Sequence, residues 1–203
     1  MADHTINLPC SEADVRKLRI GDRVILQGTL FGIRDATHIH MFNRGRKTRF
    51  DLKGHAVIHT APNVRKVPPS NVCPVGYEPI CIGTTTSARM ERFTRPLMAE
   101  YGVRMIIGKG GLMQDSLTAF KDLGGVYLAI IGGTAALETT WIERIVDVDL
   151  DDLNPESLWQ FQIKDFGPLL VAMDSHGGSI YETIKGRASD RRAAALAAIG
   201  VKA

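Results

Sequence analysis

Apolar residues fall along this chain in short runs whose period changes partway, dividing it into a strand-rich beginning and a mixed middle. Residues 22–30, opened by the Gly21-Asp22 turn, read as a strand because Val24, Ile25 and Leu26 form a branched apolar run. Residues 54–60 alternate as a second strand and stop at Ala61-Pro62-Asn63. Ahead of both, Ser11 is placed to cap a short helical turn, with Asp14 three positions on as its reciprocal partner. Residues 67–79 hold four prolines and no periodicity, which predicts a long surface loop.

Beyond the loop, strand and helix patterns alternate. Residues 79–83 form a short apolar strand, and residues 88–101 have helical spacing, with Met90, Phe93, Leu97 and Met98 on one face. Residues 104–108 and 126–131 read as strands, and residues 112–123 and 134–145 as helices. This alternation predicts a parallel α/β unit. A β-rich stretch follows over residues 158–180, then an alanine-rich helical tail over residues 187–203. No repeat or low-complexity linker separates the parts, so the expectation is one intertwined α/β domain over residues 1–203.

Composition narrows the function. The chain has 203 residues, 44% of them hydrophobic, enough for one proper core. Its 25 Lys and Arg against 22 Asp and Glu leave +3, which is not the footprint of a nucleic-acid binder. No uninterrupted apolar run approaches the roughly 18 residues of a membrane span, and the N-terminus shows no apolar signal core, so a cytoplasmic protein is expected. Cys10, Cys73 and Cys81 are odd in number and irregularly spaced, which fits isolated thiols rather than a disulfide framework or a metal pair.

Chemistry-bearing residues concentrate at glycine-rich turns. In Gly83-Thr84-Thr85-Thr86-Ser87-Ala88-Arg89 a strand delivers hydroxyl residues to a helix start. Unpaired helical N–H groups and the threonine hydroxyls make an anion site there, with Arg89 as a fork for a carboxylate; simple N-capping is the other reading. Gly108-Lys109-Gly110-Gly111 lies between a strand and a helix but lacks the spacing of a P-loop. Gly132-Gly133-Thr134 is a third such turn. Turns at the carboxyl ends of adjacent parallel strands face one crevice, which points to a small anionic substrate. Arg34-Asp35-Ala36-Thr37-His38 is a polar knot in which Arg34 and His38 bind carboxylate and Asp35 orients either, or else a surface turn. Here His38 and His40 are expected on one strand face. Asp174-Ser175-His176-Gly177-Gly178 reads as a hairpin turn, and no Gly-x-Ser-x-Gly elbow supports a Ser–His hydrolase.

Taken in order, Gly28-Thr29-Leu30 with Arg34-Asp35-x-x-His38, the Gly83 to Glu91 string and Gly108-Lys109-Gly110-Gly111 resemble the β subunit of L(+)-tartrate dehydratase and the C-terminal domain of class I, iron–sulfur-dependent fumarases. Pro155-Glu156-Ser157-Leu158-Trp159, Lys164-Asp165-Phe166-Gly167-Pro168-Leu169 and Asp174-Ser175-His176-Gly177 are similar to the tartrate-type β subunit as well.

The resemblance implies a swivelling β/β/α domain and the reversible addition or removal of water on a four-carbon dicarboxylate, fumarate/malate or L-tartrate/oxaloacetate. It implies a 4Fe-4S cluster held by an α-type partner chain, with no metal ligand on this chain, and an α2β2 assembly with β–β contact. Arg34, Thr85, Arg89 and Lys109 fall on the family's carboxylate-binding positions, and Thr85 on that of the proton-abstracting base. Asp35, His38 and Thr86 are supporting candidates. Where class I fumarases carry proline after the first glycine of the turn, this chain has Thr84. A non-catalytic carboxylate-binding or regulatory module with the same fold is the alternative.

Overall fold

The computed structural model describes residues 1–133 and 135–201. In chain order the first elements are β1 (Asp3–Leu8), α1 (Glu12–Val15), β2 (Arg23–Ile33), α2 (Asp35–Phe42), β3 (Ala56–His59), β4 (Asn63–Lys66) and β5 (Tyr77–Cys81). A 3₁₀ turn over Ala88–Phe93 leads into α3 (Thr94–Tyr101), β6 (Met105–Gly108), α4 (Gln114–Leu123) and β7 (Val126–Ala129). Then come α5 (Ala135–Thr140), β8 (Ile142–Asp149), β9 (Leu158–Met173) and α6 (Ile180–Ala198).

Strands β2, β3, β6 and β7 lie side by side and parallel. The 16-residue β9 runs antiparallel to β7 at one end of this row and to β2 at the other, and so closes it into a ring. Strand β1 extends β2, and β8 extends β9. Side chains alternate across the ring wall as the strand period demands. Ala56, Ile58, Met105, Ile107, Val126, Leu128 and Phe161 fill one cluster. Val57, Ile106 and Tyr127 point the other way, into a second cluster with Met41, Leu97, Met98, Leu117 and Phe120 from α2, α3 and α4. This strand ring clad with helices on one side agrees with the expected swivelling β/β/α class.

Several elements differ from the sequence reading. Strand β1 carries only two apolar residues, its buried alternate positions Ile6 and Leu8, among polar ones, which left no apolar run to read. The helix expected over residues 134–145 is α5 followed by β8; its first residue, Thr134, lies outside the described residues. Register shifts in the β8–β9 pairing put Ile142 and Ile145 both inward, and that three-residue interval imitates a helical period. Residues 88–101 split into a 3₁₀ turn and α3 because Pro96, in the first turn of α3, has no N–H to carry an α-helical bond back. The β-rich stretch ends at Met173 and α6 starts at Ile180, earlier than the expected tail; residues 202–203 lie outside the described residues. The expected Ser11–Asp14 capping box is present. Residues 174–178 form the expected turn, in which the buried Asp174 carboxylate accepts the N–H groups of Ile20, His176 and Gly178.

Candidate functional site

Arg34 follows β2, His59 ends β3, Lys109 follows β6 and Gly132 follows β7, so the carboxyl ends of four adjacent parallel strands meet here. That edge is where open α/β sheets place ligands. Strand β5 is not one of these parallel strands, which corrects the sequence reading: among the described residues it pairs only with β4. This antiparallel excursion leaves the end of β3 and returns to it, delivering the threonine-rich segment across the edge. The Tyr77 hydroxyl docks the excursion by donating to the Asp151 carboxylate at 2.9 Å.

The returning segment wedges between the ends of β3 and β6. Thr84 bridges Thr60, and Thr86 bridges Lys109 in parallel fashion. The Thr85 N–H donates to the His59 carbonyl at 2.8 Å, and the Ser87 N–H to the Lys109 carbonyl at 3.0 Å. The main chain of Thr85 is thereby fixed to one strand end and that of Ser87 to the next. The expected helix N-terminus is only a 3₁₀ turn, and Ser87 does not cap it. The Thr84 hydroxyl is buried and donates to the Glu138 carboxylate at 2.7 Å.

Around this segment the charged side chains form a chain of contacts. Arg89 donates through Nε and an Nη to the two carboxylate oxygens of Asp35, at 3.2 and 2.8 Å, and through the same Nη to Thr85 Oγ1 at 3.4 Å. The Arg89 guanidinium holds the Asp35 carboxyl below its usual range, against a desolvation that pushes the other way. Asp35 in turn raises Arg89. Arg34 Nε lies 3.4 Å from Asp35 and 3.3 Å from Glu156.

Glu156 also accepts the Ala36 N–H at 2.7 Å, and its carbonyl accepts the Thr37 hydroxyl. A carboxylate at the start of α2 satisfies an orphan N–H and opposes the helix dipole. The turn before β9 thus sets where Arg34 points. Glu156 was present in the sequence only as part of a resemblance string, with no local signal for this role.

Lys109 is half-buried and makes no ion pair among the described residues. Its aliphatic stem crosses Gly132, where an added Cβ would come within 2.9 Å of Lys109 Cδ. Gly110 and Gly111 hold φ of +77° and +78°, which glycine adopts without strain. Thr86 is exposed, and its methyl faces Gly110.

His38 does not join the open site. It lies on α2, a helix rather than the expected strand, with His40 off its face and half-exposed. Its ring is 1% exposed and stacks on Phe93 at 5.0 Å, with no hydrogen-bond partner for either nitrogen among the described residues. Burial pushes its pKa well below the usual range, so it stays neutral and cannot bind a carboxylate as a cation.

Under the site lie three buried polar groups that the sequence did not reveal. His59 Nδ1 is 2.9 Å from Ser87 Oγ, which is 3.0 Å from the Tyr127 hydroxyl. Among the described residues no group of three or more His, Cys, Asp or Glu gathers as a metal site. Cys10 is half-buried, with its thiol pushed up to about 11 by desolvation. No helix among the described residues is long and apolar enough to cross a membrane.

The arrangement therefore brings Arg34, Arg89 and Lys109 to the strand edge that carries Thr85, with Arg89 on its hydroxyl, a layout suited to a small polycarboxylate. Comparison with known proteins agrees. The chain is 41% identical over 187 residues to a protein provisionally named L(+)-tartrate dehydratase subunit beta from Methanocaldococcus jannaschii, covering 90% of this chain and 92% of that one. It is 36% identical over 191 residues to the L(+)-tartrate dehydratase subunit beta of Escherichia coli K12, covering 92% and 90%. It is 37% identical over 182 residues to a provisionally named class I fumarate hydratase of Geobacillus stearothermophilus, matching 89% of this chain but only 34% of that longer protein. A sequence profile described as the fumarase C-terminus matches residues 2–184, and the chain belongs to that family.

Proposed function

We propose that this chain is the β subunit of a hydro-lyase that reversibly adds or removes water on a four-carbon dicarboxylate, and that it supplies the carboxylate-binding cations and the proton-handling hydroxyl. The observation that carries the reading is the contact of Arg89 with Thr85 Oγ1, on a segment tied to the backbone of Lys109. A hydroxyl is a weak base and needs a charged environment to act as one. A guanidinium donor on its oxygen favours the deprotonated form.

In the proposed reaction Arg34, Arg89 and Lys109 hold the substrate carboxylates. Thr85 Oγ1, its own proton passed to a carboxylate of the α-type chain, takes the proton from the carbon next to a substrate carboxylate, and the C–H electron pair moves into that carboxylate as an enediolate. The same cations stabilise the charge that develops there. The pair then forms the carbon–carbon double bond as the C–OH bond breaks; the departing hydroxyl takes up one proton, equal to the one removed from carbon, and leaves as water. Asp35 orients Arg89, and Glu156 orients Arg34.

The 4Fe-4S cluster is assigned to an α-type partner, since the residues described here do not fit as its ligands; an α2β2 complex in the cytoplasm is part of the same proposal. Fumarate/malate and L-tartrate/oxaloacetate are the substrate pairs that fit. The test is anaerobic co-expression with the α-type chain and assay of both pairs. Activity only in the combined preparation supports the proposal. A brown, active hydro-lyase made from this chain alone would overturn the division of labour, and an assembled, cluster-loaded complex inactive on both pairs would overturn the function.

A further inference from the structure

The main-chain bonds of the threonine-rich segment hold it at two points, the carbonyls of His59 and Lys109. Before Thr85 the segment has further anchors, the Gly83 carbonyl accepting the Thr60 hydroxyl at 2.8 Å and the Thr84 hydroxyl bonded to Glu138. Beyond Thr85 the buried side chains beneath supply the matching anchor. Ser87 Oγ reaches inward to His59 Nδ1 and to the Tyr127 hydroxyl, which belong to β3 and β7. The Gly111 main chain of the lysine turn acts on the same tyrosine hydroxyl, drawing its pKa down against a burial that pushes it up. Tyr127 thus links the segment bearing Thr85 to the turn bearing Lys109.

The glycine at the end of β6 exists for this contact. A Cβ at Gly108 would collide with Ser87 Oγ and lie 2.9 Å from the Tyr127 hydroxyl. The Tyr127 ring packs edge-on to Tyr181 of α6, and that ring in turn sits where a Cβ on Gly111 would be, 2.7 Å away. Buried hydroxyls and imidazoles are costly unless bonded, and apolar side chains would fill the same space without that cost. The placement of all three polar groups under the two reactive turns therefore indicates a directional role.

We propose that His59, Ser87 and Tyr127 form a buried positioning relay that sets the orientation of the Thr85 hydroxyl relative to Lys109. None of the three touches substrate. The proposal rests on the hydro-lyase reading above. Burial pushes the His59 pKa down to about 3, so the relay keeps one protonation state across the working range and its contribution is independent of pH there.

The test uses the complex assembled with its α-type partner and compares wild type with Tyr127→Phe, which keeps the ring and removes the hydroxyl. Misplacement of a reacting group by a fraction of an ångström to an ångström lowers kcat on the order of 10- to 100-fold, while ground-state binding, and so KM, stays within about threefold. The kcat–pH profile of the variant should lie parallel below that of wild type. His59→Asn, whose amide can stand in for Nδ1, should recover turnover relative to His59→Leu. Should Tyr127→Phe fail to assemble, the asparagine and leucine pair decides the question. An active wild type with unchanged kcat in Tyr127→Phe, a rise in KM alone, or equal losses in His59→Asn and His59→Leu would overturn the relay and leave the hydro-lyase reading standing. An assembled wild type inactive on every dicarboxylate would overturn both.

Discussion

The carboxylate of Asp35 sits in the fork of Arg89, one oxygen on Nε at 3.2 Å and the other on an Nη at 2.8 Å. This pair occupies one edge of the guanidinium and leaves the remaining N–H groups for Thr85 and for a ligand. Asp35 begins α2 and Arg89 lies in the 3₁₀ turn after the threonine-rich segment, so the pair also ties that helix to the segment.

Asp35→Asn should therefore weaken the hold on Arg89 without removing the cation. An amide accepts through one oxygen where the carboxylate used two. We expect KM for the dicarboxylate to rise roughly three- to tenfold, the scale of one ordinary hydrogen bond. Steady-state kinetics on the assembled complex measure this. A fall in KM would show instead that Asp35 competes with substrate for the fork.

Arg89→Met and Lys109→Met each delete one charged donor. Loss of such a bond to a carboxylate is worth roughly 1.5–3 kcal/mol, or about 10- to 150-fold in kcat/KM. Turnover should fall as well if the cation also stabilises the enediolate. Wild-type kcat/KM in either variant would remove that residue from the site.

Acid should destabilise the fold through its buried imidazoles. His38 and His59 are held neutral by burial, with His59 pushed down to about 3. In the unfolded chain both titrate near 6.5. Below that pH the unfolded state binds more protons than the native one, so stability is full above about 6.5 and declines as pH falls toward the native-state values. The urea midpoint should drop between pH 7.5 and 5, and His38→Leu should flatten the slope. A midpoint constant over that range would contradict the buried, neutral assignment.

Part of the candidate site was legible in the sequence, Arg89 and Lys109 from their turns and Thr85 from the family resemblance. Arg34, Thr85, Arg89 and Lys109 stand in short motifs flanked by glycine or strand ends, and the structure brings them to one edge. The reason they meet was not legible. The segment carrying Thr85 reaches the edge through the β4–β5 excursion, and its Ser87 turns inward rather than capping a helix. His38 looked reactive because it shares a polar string with Arg34 and Asp35. A helix, in place of the expected strand, rotates it into a stack with Phe93. Glu156, His59, Ser87 and Tyr127 act across tertiary contacts and leave no local pattern. Strand β8 was misread for a similar reason: its bulges spoil the two-residue alternation by which a strand is recognised.

The role of Thr85 is the centre of the account, and isotope exchange at the reacting carbon tests it most directly. That exchange reports C–H cleavage even when product release limits turnover. In the assembled complex, Thr85→Ala should slow solvent-proton exchange into malate or tartrate by about 10²–10⁴-fold, the usual loss when a positioned proton-transfer group is removed. Thr85→Ser, which keeps the hydroxyl, should retain part of the rate. A folded, assembled Thr85→Ala complex that exchanges the proton at the wild-type rate would contradict the account and place the base on the partner chain.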